Sequence, residues 1–225
     1  RPEPGHIFDF SPAAQKGFKA FAEEFYPTLK DFTIPGPAAR AARDGDDLLW
    51  HPARHLGSIA FVECHSRQIA EDALEMCGHV KKELAARGRE KLVGTYYGYT
   101  ATLNANGVSQ MRGHYALKRL LEGPRVVDYV MSPQNYGQRN LGDTCGDMKP
   151  FATLQAHGIV SVIEDDTRTH NYTYGEWHRY NQTPTVRLSR EVMRRNLAVH
   201  VCRRQPVYLY ALCGGREFDF PEMAA

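Results

Sequence analysis

Four short runs of β-branched and aromatic residues alternate with helical patterns, and this constrains the chain more than any other feature. The runs are LVGTYYGY (Leu92–Tyr99), VVDYVM (Val126–Met131), Ile159–Ile163 and VYLYAL (Val207–Leu212). The third, made only of small and β-branched residues, reads as a strand buried on both faces, as parallel strands are. Short apolar strands separated by helices argue for βαβ units, a parallel sheet and right-handed crossovers. A four-stranded open sheet and half of a (β/α)8 barrel are identical at this level.

The helical patterns have readable ends. Ser11 and Pro12 supply an N-cap and a first-turn proline, and Phe18, Phe21, Ala22 and Phe25 then mark one apolar face. Thr33–Ser58 reads as an irregular connection rich in Pro, Gly, Ala and Asp. A connection of that length is usually functional or a cover. A long helix follows, with Ile69, Ala73, Met76, Cys77, Val80 and Leu84 on one stripe and Gly88 as C-cap. Shorter helices are expected over His114–Gly123 and Phe151–His157, and a longer one from a Ser189 cap to Arg203.

The strand ends carry the chemistry. Ile159–Ile163 empties into Glu164, Asp165 and Asp166, followed by Arg168 and His170. In α/β proteins the C-terminal strand ends are where ligands bind. A carboxylate there, with an arginine nearby to keep it ionised, is half of a glycosidase's equipment. The other strands end in Tyr96, Tyr97 and Tyr99, in SPQNYGQRNLGDTCGD with Ser132, Asn135, Tyr136 and Arg139, and in CGGREFDFPE. Polar and aromatic residues thus converge on one face.

Composition excludes several classes. A net charge of +2 argues against nucleic acid or an anionic membrane as partner. No stretch is apolar enough to span a bilayer, and RPEPGHIFDF has no signal-peptide core. The missing initial Met is taken as the mark of a processed or partial chain. The five cysteines are scattered and read as free thiols, and no His/Asp/Glu/Cys set has metal-ligand spacing, so neither metal nor cofactor is expected. No strand runs through a Gly-rich loop directly into a helix, which disfavours a phosphate-binding domain.

The blocks VGTYYGY, GHYALKRLLEGPRVVDYVMSPQNYGQR, HGIVSVIEDDTRTH and MRRNLAVHVCRRQPVYLYAL resemble bacterial β-galactosidase-like glycoside hydrolases. These are relatives of glycoside hydrolase family 42, in the clan of retaining (β/α)8 glycosidases. The resemblance runs from about Phe8 to the C-terminus and is most specific in Asp128–Arg139 and Glu164–His170. It implies an α/β fold equal to the C-terminal half of a TIM barrel, with the four strands as strands five to eight. Residues 1–225 would form a single partial barrel domain, with 1–58 as the helix and long loop after strand four and 59–225 as the strands and helices. It implies Glu164 as the catalytic nucleophile. The family's acid/base Glu ends strand four, which would precede this sequence; Glu3 is near that edge but nothing around it resembles a strand end.

A half barrel has two open sheet edges, so an N-terminal half or a second copy is the expected partner, beside a carbohydrate substrate. Tyr99, Asn135 and Tyr136 are candidates to line a sugar subsite, or else to pack. Asp166 and Arg168 are expected either to contact substrate or, with Asp165, to form an ion-pair network that lowers the pKa of Glu164. Trp177, beside Glu176, is a sugar cap or a loop anchor, and His170 has either role. His114 and His157 read as structural. The arginines of Arg187–Arg204 read as a solvated helix face. The alternative to a hydrolase is a non-catalytic half barrel that binds sugar or a partner.

Overall fold

The structure, a computed structural model, describes residues 9–41, 50–100, 113–173, 182–211 and 217–223. The chain divides into two compact units, Arg1–Glu75 with Asn104–Gly123 and Met76–Leu103 with Pro124–Ala225, where the sequence reading has one domain.

The first unit is helical. Helix α1 (Pro12–Phe25) starts as its sequence requires: the Ser11 hydroxyl accepts from the Ala14 N–H at 3.2 Å, and Pro12 occupies the first turn. Phe18 and Ala22 are buried with Ile34, Ala60 and Phe61, and Phe18 meets Phe61 edge-on at 5.6 Å. Phe25, expected on the same face, is exposed under the Arg67 guanidinium at 4.2 Å. A short helix, α2 (Pro37–Ala41), interrupts the stretch read as irregular, and its Arg40 is buried 5.4 Å over the Phe61 ring. Helix α3 (Leu56–Ala86) contributes to both units and begins well before the expected stripe. Its buried residues are Ser58, Ala60, Phe61, Val62, Ser66, Ala70, Leu74 and Cys77, whereas Met76 and Val80 are exposed. The helix carries two overlapping apolar stripes, and periodicity does not say which one is covered. Helix α4 (Leu117–Glu122) completes this unit and is shorter than His114–Gly123.

The second unit holds a four-stranded, all-parallel sheet flanked by helices. Strands β1 (Gly94–Tyr96), β2 (Tyr129–Pro133), β3 (Val160–Asp165) and β4 (Val207–Leu209) lie in that order. Helices α5 (Phe151–Ala156) and α6 (Val186–Cys202) lie between the later strands in the chain. The two helices meet where Gln155 donates to the Arg203 carbonyl at 2.7 Å and Arg203 lies over Phe151. Strand β2 starts later than expected. Just before it, the Asp128 carboxylate takes the Lys81 ammonium at 2.7 Å and the Val93 N–H at 2.8 Å, tying down the N-terminal end of the sheet. Gly158, at φ 72°, makes the left-handed turn from α5 into β3.

Strand β3 runs two residues further than its apolar run, so Glu164 and Asp165 are its last rungs rather than its sequel. Alternation then sends them to opposite faces. Ser161, Ile163 and Asp165 share the face on which Asp165 meets Asn196 of α6. Val160, Val162 and Glu164 share the other with Tyr96, Met131 and Tyr208, by register. Helix α6 is capped by Thr185, which accepts from the Leu188 N–H at 3.3 Å, and not by Ser189. Ser189 lies one turn inside, buried, where its hydroxyl accepts the His170 N–H at 2.9 Å. The tertiary contact claims the serine that local pattern assigns to a cap.

Candidate active site

The strand ends bring Glu164 together with Tyr96. The Tyr96 hydroxyl donates to Glu164 Oε2 at 2.5 Å, and the glutamate is only 7% exposed. Tyr99 and Tyr208 lie close enough to Tyr96 to act on its charge, and Tyr208 is the register partner of Glu164 on β4. Burial pushes the Glu164 carboxyl above the usual range. The Tyr96 donor opposes this, Asp166 reinforces it and Arg139 opposes it. The expected lowering by a nearby arginine is therefore corrected. Arg139 is ion-paired to Asp166, and the added like charge offsets much of what the guanidinium offers.

Asp166 and Arg168 belong to a buried ion-pair triad. Asp166 is bonded to Arg139, and Arg168 Nη1 lies 3.3 Å from its other oxygen and 3.2 Å from its carbonyl. Both guanidiniums lie over the Tyr136 ring, Arg139 at 4.4 Å and Arg168 at 5.9 Å, so Tyr136 packs between loop segments. Arg139 Nε and Nη2 are buried with no hydrogen-bond partner among the described residues. Asn135 is buried too, its Oδ1 accepting the Gly137 N–H at 3.0 Å to close an Asx turn. Of the five residues expected at a sugar subsite, Asp166 acts directly on the Glu164 charge and Tyr99 on that of Tyr96.

The sequence reading missed the support behind the sheet. Asp165 Oδ2 accepts from Asn196 Nδ2 at 3.0 Å, and its Oδ1 accepts from the Thr167 N–H at 3.1 Å. Asn196 also reaches Gln134 Oε1 at 3.3 Å, and Gln134 Nε2 lies 3.2 Å from His200 Nε2. His200 Nδ1 meets Gln205 Oε1 at 3.0 Å, and Gln205 donates onward to Ser161 and Asp147. Burial lowers the His200 pKa, so the ring is neutral, with Nδ1–H as donor and Nε2 as acceptor. Cys145 Sγ, 3.3 Å from that Nε2, has dyad distance and a left-handed backbone at φ 54°. Burial nevertheless pushes its thiol up to about 12, the wrong direction for a nucleophile. The one legible signal was Asn196 and His200 at i, i+4 on the buried side of α6.

The arginines of α6 also differ from a uniformly solvated face. Arg187, Arg194 and Arg204 are exposed. Arg195 instead clasps the loop after β2, donating to the carbonyls of Asn140 at 2.7 Å, Asp143 at 3.0 Å and Arg139 at 3.2 Å. Arg203 donates to the Cys145 carbonyl at 3.3 Å. With an antiparallel bridge between Gln134 and Asp147, these contacts close the loop on itself. His170 stacks edge-on against Phe220 at 4.7 Å and bonds Ser189, an anchoring role. Glu3, Glu176, Trp177, Cys213, Gly214 and Gly215 lie outside the described residues. The described cysteines are free thiols, and no group of three or more His, Cys, Asp or Glu among the described residues is placed to hold a metal ion. No described helix is long and apolar enough to cross a membrane.

No protein-family model, curated protein or solved structure matches the chain.

Proposed function

We propose that this chain is the C-terminal half of a (β/α)8 barrel of the β-galactosidase-like glycoside hydrolase lineage, with Glu164 as the nucleophile of retaining hydrolysis. The observation that carries the reading is Glu164 itself. It is a buried carboxylate on the last rungs of a central parallel strand, held by the Tyr96 phenol on the face opposite α6. In a barrel that face looks inward, and the C-terminal strand ends form the catalytic rim.

In this mechanism a Glu164 oxygen attacks the anomeric carbon, and the glycosidic C–O bond breaks with its electron pair leaving on the departing oxygen. Water then hydrolyses the glycosyl ester and restores the carboxylate. The Tyr96 hydrogen bond keeps the attacking group ionised against burial and fixes its direction. The Arg139–Asp166–Arg168 triad orders the loop and lies close enough to bias the charge. Protonation of the leaving oxygen falls to a carboxyl group roughly 5–5.5 Å from the nucleophile, supplied by strand four outside this sequence. The missing half barrel, or a second copy, covers the remaining sheet face.

A 2-deoxy-2-fluoro glycoside with a dinitrophenyl leaving group tests this, because so good a leaving group needs no general acid. The expected result is one covalent glycosyl adduct, mapped by peptide mass to Glu164, absent in Glu164→Gln and slower in Tyr96→Phe. A folded chain that takes no label at high reagent concentration sinks the hydrolase reading. The reading then favoured is a non-catalytic half barrel that binds sugar or a partner, which the low exposure of Glu164 also suits.

A further inference from the structure

We infer that the first unit carries a separate site for a neutral mono- or disaccharide, in a cleft walled by Trp50, α3 and α4. The cleft measures about 560 Å³, within the range of small-molecule pockets. Its lining combines apolar Ile59 and Val62 with the aromatic rings of Trp50 and Tyr115 and the hydroxyl of Ser66. All of these belong to the first unit, so the site is independent of Glu164 and of the reaction proposed for it.

The charges on the walls select against an ionic ligand. Arg67 pairs with Glu63 at 3.4 Å and Lys118 with Glu122 at 2.6 Å. Arg119 is held by both oxygens of Glu71, one of them at 3.0 Å. Each lining cation thus has its own carboxylate, and a phosphate or a cation would have to break one of these pairs to bind.

The Ser66 hydroxyl selects against a purely apolar ligand. It is buried in the wall of the cleft and has no hydrogen-bond partner among the described residues. A buried hydroxyl left unpaired is unfavourable, and a ligand hydroxyl would satisfy it. The exposed Tyr115 and half-buried Trp50 are amphipathic rings, suited to the C–H face of a sugar, with the Trp50 indole nitrogen turned into the protein. A neutral polyhydroxylated ring answers all three features at once.

The chain has two tryptophans, Trp50 and Trp177, so Trp177→Phe leaves Trp50 as the sole reporter. Full-length protein in that background is titrated with lactose, cellobiose, maltose and, separately, inorganic phosphate. The expected result is a saturable change in Trp50 emission with at least one sugar and none with phosphate. Both Tyr115→Ala and Ser66→Ala should weaken the sugar by about tenfold or more. Ser66→Ala should also raise the melting temperature of the unliganded protein, because it removes the unpaired hydroxyl, an opposite sign that a packing role would not produce. Glu164→Gln should leave the titration unchanged, which separates failure of this site from failure of the hydrolase reading. The inference is overturned by no saturable change with any of the three sugars in folded protein, by a response that survives both substitutions, by a response to phosphate, or by loss of the response in Glu164→Gln.

Discussion

Glu164 sits where its proposed chemistry and its environment pull in opposite directions. A nucleophile has to be ionised, yet burial raises this carboxyl and only the Tyr96 donor and Arg139 pull it back. A folded-state pKa above the unfolded one means that the native state holds the proton more tightly. Burial of the charge therefore costs stability at neutral pH, and the cost disappears as pH falls through the folded pKa toward the ordinary value of 4.5. Glu164→Gln should accordingly melt higher than the parent at pH 7, with the gap closing near pH 4; thermal melts across that range check it. Lys149 poses the same problem with the opposite charge. Its ammonium is buried, donates to the Ser132 hydroxyl at 2.9 Å, and is lowered by burial from 10.5 to about 8. Its stem fills the space that a side chain at Gly98 would need, since a Cβ there would lie 2.6 Å from the Lys149 Cβ. Below pH 8 the native state carries a buried charge. Lys149→Met should therefore stabilise the protein at pH 7 by up to about 3 kcal/mol, an advantage that shrinks as pH rises from 8 to 10.5. Urea unfolding at pH 7 and pH 10 measures both ends.

Helix α6 does more than cover the sheet. Through Asn196 and His200 it holds the ends of β2 and β3 from behind, and through Arg195 it holds the loop that carries Arg139. The acidic strand end is thus positioned from its far side, through Asp165 on the face opposite Glu164. Asn196→Leu would leave the Asp165 oxygen and the Gln134 amide oxygen without this donor, at a cost on the order of 2–4 kcal/mol. Urea denaturation should show that loss. If Asp165 anchors the strand end, labelling of Glu164 should also slow in the protein that remains folded; an unchanged labelling rate would limit the network to stability. The same element shows why a run of arginines is ambiguous in sequence. A helix that packs by one stripe has arginines at its margins, and whether they meet water or a neighbouring loop depends on that loop's path.

The sheet as a whole is lopsided. Parallel sheets are ordinarily covered on both faces. In the two central strands the face toward α6 is sealed at Val130, Ser132, Ser161 and Ile163. The opposite face is open toward the N-terminal ends, where Val160 is 37% exposed, and at the edges, with Tyr96 at 44% and Tyr208 at 48%. Strands β1 and β4 are also the two edges of the sheet, where backbone groups invite pairing. The chain alone should therefore self-associate in sedimentation velocity experiments. Val160→Lys with Tyr208→Lys should weaken that association by about tenfold or more, since each buries a charge in any contact made there. A strictly monomeric parent protein at high concentration would count against the open face as a contact surface.

Much of this was legible without coordinates. Four apolar runs separated by helical periods determined a parallel α/β sheet, because strand length and side-chain period are local properties that survive in any context. The Ser11–Pro12 start of α1 and the acids at the end of the Ile159–Ile163 run were legible for the same reason. What tertiary structure decided was which surfaces are covered. It chose between the two stripes of α3, drew Ser189 away from capping to His170, and turned Arg195 from a solvated charge into a loop clasp. It also reversed the expected shift of Glu164, because burial and the neighbouring Asp166 charge raise this carboxyl more than the Tyr96 donor and Arg139 lower it. The residue types came from the sequence, but their protonation and roles depend on burial and on partners far along the chain, which local pattern does not encode.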